Sequence, residues 1–334
     1  MKRRLFLSGT AASTLGLIGC GGGGGGAAAV PGELASGVTA ASPVAAGSTS
    51  AASTLAATTA TATASTAGGL PERVLACYYT AWDTGRHQIT DVPADFNVIY
   101  LFHAKPNGTP VNGNWNNVGD GSFAFEHWGD VLPSDVQRCR GRGQRVIFTA
   151  GGAQAGFNFD GRGKSSNFVA SFRDMYDRWG GVDGCDFNNF EANIGSSQAE
   201  MIWIAEQLKS RYGSDFAITA PPQPNSPEDR AMLKAMSDAG VLSWAGPQYY
   251  DWSGFNEPGF IRTRTRDWVK DLQASRVLVG LSANYPQGPS LDDCIREWDA
   301  VKAEHPGIRG MFCWSAQLNL DGGNTWGSTM KARL

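Results

Sequence analysis

The sequence predicts an α/β fold: a single (β/α)8 (TIM) barrel after a disordered N-terminal tether. Three observations carry that expectation. The 334 residues change character near residue 70, because 21–69 are almost wholly Gly, Ala, Ser and Thr. Beyond that point about 264 residues remain, close to the roughly 250 of such a barrel. In that stretch short apolar, β-branched or aromatic runs recur eight times, mostly with helical patterns between them, and strands alternating with helices argue for a parallel sheet.

Taken in order, the strands are expected at Arg73–Tyr79, Phe96–Phe102, Arg145–Ala150, Val182–Asn188, Phe216–Ala220, Trp244–Tyr250, Arg276–Leu281 and Gly310–Trp314. The helices are expected at Ser134–Gly141, Ser165–Trp179, Ser196–Tyr212, Pro227–Ala239, Gly259–Ala274 and Leu291–Glu304. Ser165, Ser196, Ser226 and Ser290 suit N-caps, because a serine oxygen can accept from a first-turn N–H. Pro227 suits the first helical position. The first and last helices of the barrel are expected to be short or absent.

Composition narrows the function. There are 28 Lys+Arg against 31 Asp+Glu, a formal charge of −3, so the concentrated positive footprint of a nucleic-acid binder is missing. The 11 Trp, 8 Tyr and 16 Phe can bury a large core, which excludes disorder of the whole chain. Nothing after residue 20 approaches the ~18 apolar residues of a membrane span.

The first twenty residues read as an export signal, with Lys2, Arg3 and Arg4 ahead of a short apolar run. Arg3–Arg4 followed by Leu5-Phe6-Leu7 matches the twin-arginine pattern. Leu17-Ile18-Gly19-Cys20 resembles a lipobox, in which Cys20 becomes the lipidated first residue of the mature protein. An ordinary secretory signal with an incidental cysteine is the alternative. Residues 21–69 cannot bury enough surface to offset ordering their backbone and serve as a flexible tether. The expected organisation is thus a signal peptide at 1–20, a linker at 21–69 and a barrel domain at 70–334. The protein is expected to be exported and lipid-anchored to the bacterial cell envelope, and monomeric.

In such a barrel the chemistry sits at the C-terminal strand ends. Those ends read Tyr78-Tyr79-Thr80-Ala81-Trp82, Phe102-His103, Thr149-Ala150-Gly151-Gly152, Asn188-Asn189-Phe190-Glu191, Gln248-Tyr249-Tyr250-Asp251-Trp252, Ser282-Ala283-Asn284-Tyr285 and Trp314-Ser315-Ala316-Gln317. The mouth is rich in aromatics and amides and poor in cations. Flat aromatic faces suit sugar rings and amides suit hydroxyl and acetamido groups, whereas a phosphate site would want Gly-rich turns with Lys or Arg. For any one of these aromatics, packing of the barrel interior is the competing explanation.

The run Asp183-Gly184-Cys185-Asp186-Phe187-Asn188-Asn189-Phe190-Glu191 resembles the fourth-strand motif Asp-Gly-x-Asp-x-Asp-x-Glu of glycoside hydrolase family 18, the chitinases and related endo-β-N-acetylglucosaminidases. Thr149-Ala150-Gly151-Gly152, Gln248-Tyr249-Tyr250-Asp251, Gly280-Leu281-Ser282-Ala283 and Met311-Phe312-Cys313-Trp314-Ser315 are similar to the family's third-, sixth-, seventh- and eighth-strand pieces, in the right order. The resemblance spans about residues 73–334.

Two departures stand at the centre of the motif. The family's Glu lies seven residues after the first Asp; here that position is Phe190, and Glu191 follows one later. Side chains alternate across a strand, so one extra residue turns inward into outward. Either a β-bulge near Phe187–Asn188 re-aims Asn189 and Glu191 inward, or Phe190 fills the subsite and the barrel is catalytically dead. With the bulge, the middle carboxylate becomes Asn189. Asn189-Phe190-Glu191 then looks like the Asn-x-Glu pair of glycoside hydrolase family 85.

The resemblance implies substrate-assisted, retaining hydrolysis of β-linked N-acetylglucosamine glycans, outside the usual two-carboxylate scheme. It implies Glu191 as general acid then base, Asn189 positioning the acetamido group, and Asp186 tuning the pair. Tyr250 would donate to the acetamido oxygen, while Gln248 and Asp251 hold the sugar and Trp314 forms the stacking floor. Tyr78, Phe102 and Asn284 complete the expected substrate contacts. The partner is an N-acetylglucosamine-containing oligo- or polysaccharide, of chitin, N-glycan-core or peptidoglycan type. A non-catalytic, lectin-like barrel is the alternative.

No cofactor or metal is expected. His87, His103, His127 and His305 show no metal spacing. His103 at a strand end could touch substrate, although a satisfied polar residue explains it too. The six cysteines include no C-x-x-C pair, and Cys77, Cys185 and Cys313 fall within strands, where a free thiol packs as a small hydrophobe.

Overall fold

A computed structural model describes residues 69–82, 85–125, 131–188, 195–251 and 253–334. Cys20 and the segment Asn189-Phe190-Glu191, with Trp252, lie outside the described residues.

The strands are β1 (Val74–Thr80), β2 (Val98–Pro106), β3 (Phe123–Ala124), β4 (Arg145–Gly151), β5 (Gly184–Asn188), β6 (Ala217–Ala220), β7 (Trp244–Ala245), β8 (Leu278–Ser282) and β9 (Gly310–Trp314). All but β3 are parallel and run in the order β7-β6-β5-β4-β2-β1-β9-β8. The two ends of that order meet through single bridges, Ala245 to Val277 and Gln248 to Gly280, which close the barrel. The short β3 pairs antiparallel with the end of β2 and was not foreseen.

The helices are α1 (Pro133–Gly141), α2 (Arg162–Arg178), α3 (Gln198–Tyr212), α4 (Pro227–Asp238), α5 (Phe260–Leu272), α6 (Leu291–Glu304), α7 (Ala316–Asp321) and α8 (Thr325–Lys331). Between β1 and β2 there is only a 3-10 turn, Ile89–Asp91. After β9 the expected weak helix is split into α7 and α8.

The strands are apolar on both faces because both are covered. On β1, Val74, Ala76 and Tyr78 fill the barrel, while Leu75, Cys77 and Tyr79 pack under the helices. The inner column includes Tyr78 stacked on Tyr100 at 4.6 Å, and Trp244, whose indole N–H donates to the Tyr100 hydroxyl at 2.7 Å. Cys77, Cys139, Cys185, Cys294 and Cys313 are all buried free thiols.

Two caps match expectation. Ser226 accepts from the Asp229 N–H at 3.1 Å and Ser290 from the Asp293 N–H at 3.2 Å. The other two serines do different work. Ser165 lies inside the first turn of α2, where its hydroxyl donates to the Gly161 carbonyl. Ser196 precedes the true N-cap, Ser197, and ties down the previous loop by accepting from the Phe159 N–H and donating to the Phe157 carbonyl. Among the described residues no helix is long and apolar enough to cross a membrane.

Candidate active site

At the C-terminal mouth lies a cleft of about 270 Å³ lined by Trp82, Phe102, His103, Ala153, Gln248, Tyr250, Asp251, Tyr285 and Trp314. Its walls are mainly aromatic. Trp314 meets Phe102 edge-on at 5.1 Å and stacks toward Tyr250 at 6.3 Å. Trp82, at 47% exposure, stands at the rim against Phe102.

The polar groups are braced from below. The Tyr250 hydroxyl donates to Gln248 Oε1 at 2.8 Å, and Gln248 Nε2 donates to the Pro221 carbonyl at 2.8 Å. Asp251 takes a left-handed backbone (φ 62°). Partial burial raises its carboxyl above the ordinary range, against a hydrogen bond from Tyr285.

Under the cleft, β5 presents Asp186 to the barrel interior. Its Oδ2 accepts from Tyr78 at 2.8 Å and Thr149 at 3.1 Å, and its Oδ1 from Thr219 at 2.6 Å. Burial pushes the carboxyl up to about 6, and the three hydroxyls pull the other way. Three inward donors commit this carboxylate to the barrel, so Asp186 holds the layer beneath the cleft and is not among the residues lining it. Tyr78 belongs to the same layer, since it is buried with its hydroxyl on Asp186.

The next inward position on β5 is Asn188. The β4–β5 ladder runs unshifted from Ile147 opposite Gly184 to Gly151 opposite Asn188. The bulge expected near Phe187–Asn188 is therefore absent from this ladder, and Asn189 and Glu191, which it would have re-aimed, lie outside the described residues. Unbroken alternation gives Asn188 the interior place that the bulge would have given Asn189. Asn188 is 1% exposed, and its Oδ1 has no hydrogen-bond partner among the described residues. A buried amide oxygen left bare costs roughly 1–3 kcal/mol, so a donor placed against this one would be stabilising.

A true register shift occurs on β2 instead, between Leu101 and Ala104. It turns two consecutive side chains, Phe102 and His103, into the cleft, where their rings stack at 4.1 Å and 1°. His103 Nδ1 bonds to the Gly151 carbonyl. Burial lowers its pKa to about 4. The pair rests on Gly152, where an added Cβ would lie 2.6 Å from the Phe102 ring and 2.9 Å from His103 Nδ1, at φ +134°.

Of the expected substrate contacts, Phe102, Gln248, Tyr250, Asp251 and Trp314 line the cleft. Asn284 is turned aside, with its amide donating to the Leu318 carbonyl at 3.3 Å. Trp82 and Tyr285 were visible only as aromatic strand ends, and Asn188 only through strand alternation. Thr149 and Thr219 carried no signal beyond lying one layer below those ends. Among the described residues no group of three or more His, Cys, Asp or Glu could hold a metal.

No protein-family model matches the sequence, and no curated protein matches it either. Solved structures do match. A chitinase A from Streptomyces coelicolor aligns at TM-score 0.67 and 20% identity, over 78% of this chain and 98% of that one. A family GH18 chitinase from Chromobacterium violaceum aligns at TM-score 0.64 and 16% identity, over 78% of this chain and 83% of its own. The xylanase and α-amylase inhibitor protein XAIP-II from Scadoxus multiflorus aligns at TM-score 0.62 and 14% identity, over 78% and 98%. The chain thus has the (β/α)8 barrel fold of family 18 chitinase structures, a fold that the inhibitor protein shares.

Proposed function

We propose that this protein is a glycoside hydrolase that cleaves β-linked N-acetylglucosamine glycans with retention. The observation that carries the reading is the mainly aromatic cleft at the barrel mouth, with Gln248, Tyr250 and Asp251 in its wall and a carboxylate fully occupied by hydroxyls in the layer below. In the reaction Asn188 accepts the acetamido N–H, and the acetamido oxygen attacks the anomeric carbon. Glu191, assigned from the sequence motif alone and required by this reading to face the cleft although the ladder carries no bulge up to Asn188, protonates the departing glycosidic oxygen and then takes a proton from the water that opens the cyclic oxazolinium. When the sugar binds, Tyr250 turns its single hydroxyl proton from Gln248 to the acetamido oxygen, and Trp314 stacks on the sugar. We also propose that the chain is exported and lipid-anchored through Cys20; a Cys20→Ala variant should then leave the membrane fraction.

The test is hydrolysis of chito-oligosaccharides and of a high-mannose N-glycan by the full chain, beside Glu191→Gln and Asn188→Ala. Glu191→Gln should abolish turnover while oligosaccharide binding survives, and Asn188→Ala should lower kcat by at least tenfold. A Glu191→Gln variant with undiminished turnover refutes the assignment. The second reading, a sugar-binding barrel without catalysis, is favoured by Phe190 at the place where the family motif has its Glu. Binding without cleavage by the wild type would establish it.

A further inference from the structure

We propose that His103 is a specificity-determining contact of this cleft, an obligate hydrogen-bond acceptor that admits neutral sugars and disfavours those carrying carboxylates. The inference rests on the glycan-binding reading of the site and deepens it.

A carbonyl oxygen can only accept, so the bond to Gly151 makes His103 Nδ1 the donor. In the neutral ring Nε2 must then present a lone pair. His103 lines the cleft, and Nε2 is neither hydrogen-bonded nor among the fully buried unpartnered atoms of the described residues, so it reaches the open space. The ring cannot turn away. It is stacked on Phe102, flanked by Trp82 at 5.7 Å and seated on Gly152.

This is an expensive way to fill space. Only 6% of the residue is exposed, and a phenyl ring would pack there without desolvating an imidazole. What the imidazole adds is one fixed acceptor. Asp251, the one carboxylate among the described residues that line the cleft, is also an acceptor when ionised. No Lys or Arg lines the cleft among the described residues; Lys105, two residues along β2, is held over the Trp115 ring at 5.1 Å. A neutral sugar brings hydroxyl and amide donors to these two groups, whereas a carboxylate meets a lone pair and a second anion. Chitin-type and N-glycan-core glycans fit that pattern, and muramic-acid-bearing glycans do not.

The test is calorimetric binding by the full chain in a Glu191→Gln background, which removes turnover. The probes are chitotetraose and a peptidoglycan tetrasaccharide of N-acetylglucosamine and muramic acid. Chitotetraose should bind at least tenfold more tightly. His103→Phe should weaken chitotetraose about tenfold, the loss of one good hydrogen bond, and narrow the gap between the two glycans. His103→Gln, which keeps an acceptor, should recover most of it. Melting at pH 7 should show His103→Phe at least as stable as its parent. Equal binding of both glycans by parent and His103→Phe overturns the proposal, as does a ¹⁵N spectrum showing Nε2 protonated and Nδ1 bare. Failure of the parent to bind either glycan overturns the underlying function, before any His103 substitution is read.

Discussion

Asp186 shows how one side chain can belong to the fold and to the site together. Removing its carboxylate in Asp186→Ala leaves the hydroxyls of Tyr78, Thr149 and Thr219 without their shared acceptor. Buried donors so stranded cost 1–3 kcal/mol each, so urea titration should show a loss of about 3 kcal/mol or more. The same residue gives the protein a pH signature. Its folded pKa of about 6 lies above the ordinary 3.8, so the native state holds this proton more tightly than the unfolded chain. The group's contribution therefore rises as pH falls through 6 and is withdrawn as pH climbs. His103 runs the other way. Its folded value of about 4 lies below 6.5, so the unfolded chain takes up its proton first and stability drains as pH falls through that window. The melting-temperature gap between His103→Phe and wild type should widen in favour of the variant from pH 7 to pH 5; a constant gap would contradict the buried neutral imidazole.

Helix α6 falls where expected, since Ser290 and an apolar stripe agree on its start. At Ser165 and Ser196 a serine ahead of an apolar run has the look of a cap, yet the hydroxyls serve Gly161 and the Phe157–Phe159 loop. Residue type cannot distinguish the two, because both are short-range bonds to backbone. Ser290→Ala should cost about 1 kcal/mol in chemical denaturation, as the loss of a true N-cap does. Strand β7 stops at Ala245 rather than Tyr250 because Gly246 and Pro247 follow, and proline offers no N–H to a ladder. The cleft-forming shift on β2 had no sequence mark at all. Its dependence on Gly152 is testable: Gly152→Ala should displace the Phe102–His103 pair and reduce oligosaccharide affinity at least as much as His103→Phe.

For the whole molecule, the eightfold count was legible because parallel strands buried on two faces announce themselves as continuous apolar runs. The site was half legible. Aromatic strand ends led to Trp314, Tyr250 and Phe102, whereas the position of Asn188 required a register that only the folded ladder supplies. Closure is uneven. Strands β7 and β8 are joined by isolated bridges rather than a ladder, and at Gly280 a Cβ would lie 2.3 Å from the Pro247 carbonyl. This seam should open before the rest of the wall, so amide exchange at Tyr249 and Gly280 should outpace that at Ile147 and Cys185. Uniform protection around the barrel would argue against it.

Five buried free thiols are spread around the barrel among the described residues. Cys77 and Cys313 sit side by side in the β1–β9 ladder, Cys185 lies on β5, Cys139 on α1 and Cys294 on α6, beneath the β8 end. A thiol-reactive dye added to the folded protein reacts with such a group only when its own stretch of wall opens. The natural chain therefore carries chemical stopwatches around its circumference, and their order of labelling would time how the barrel comes apart without a single engineered residue.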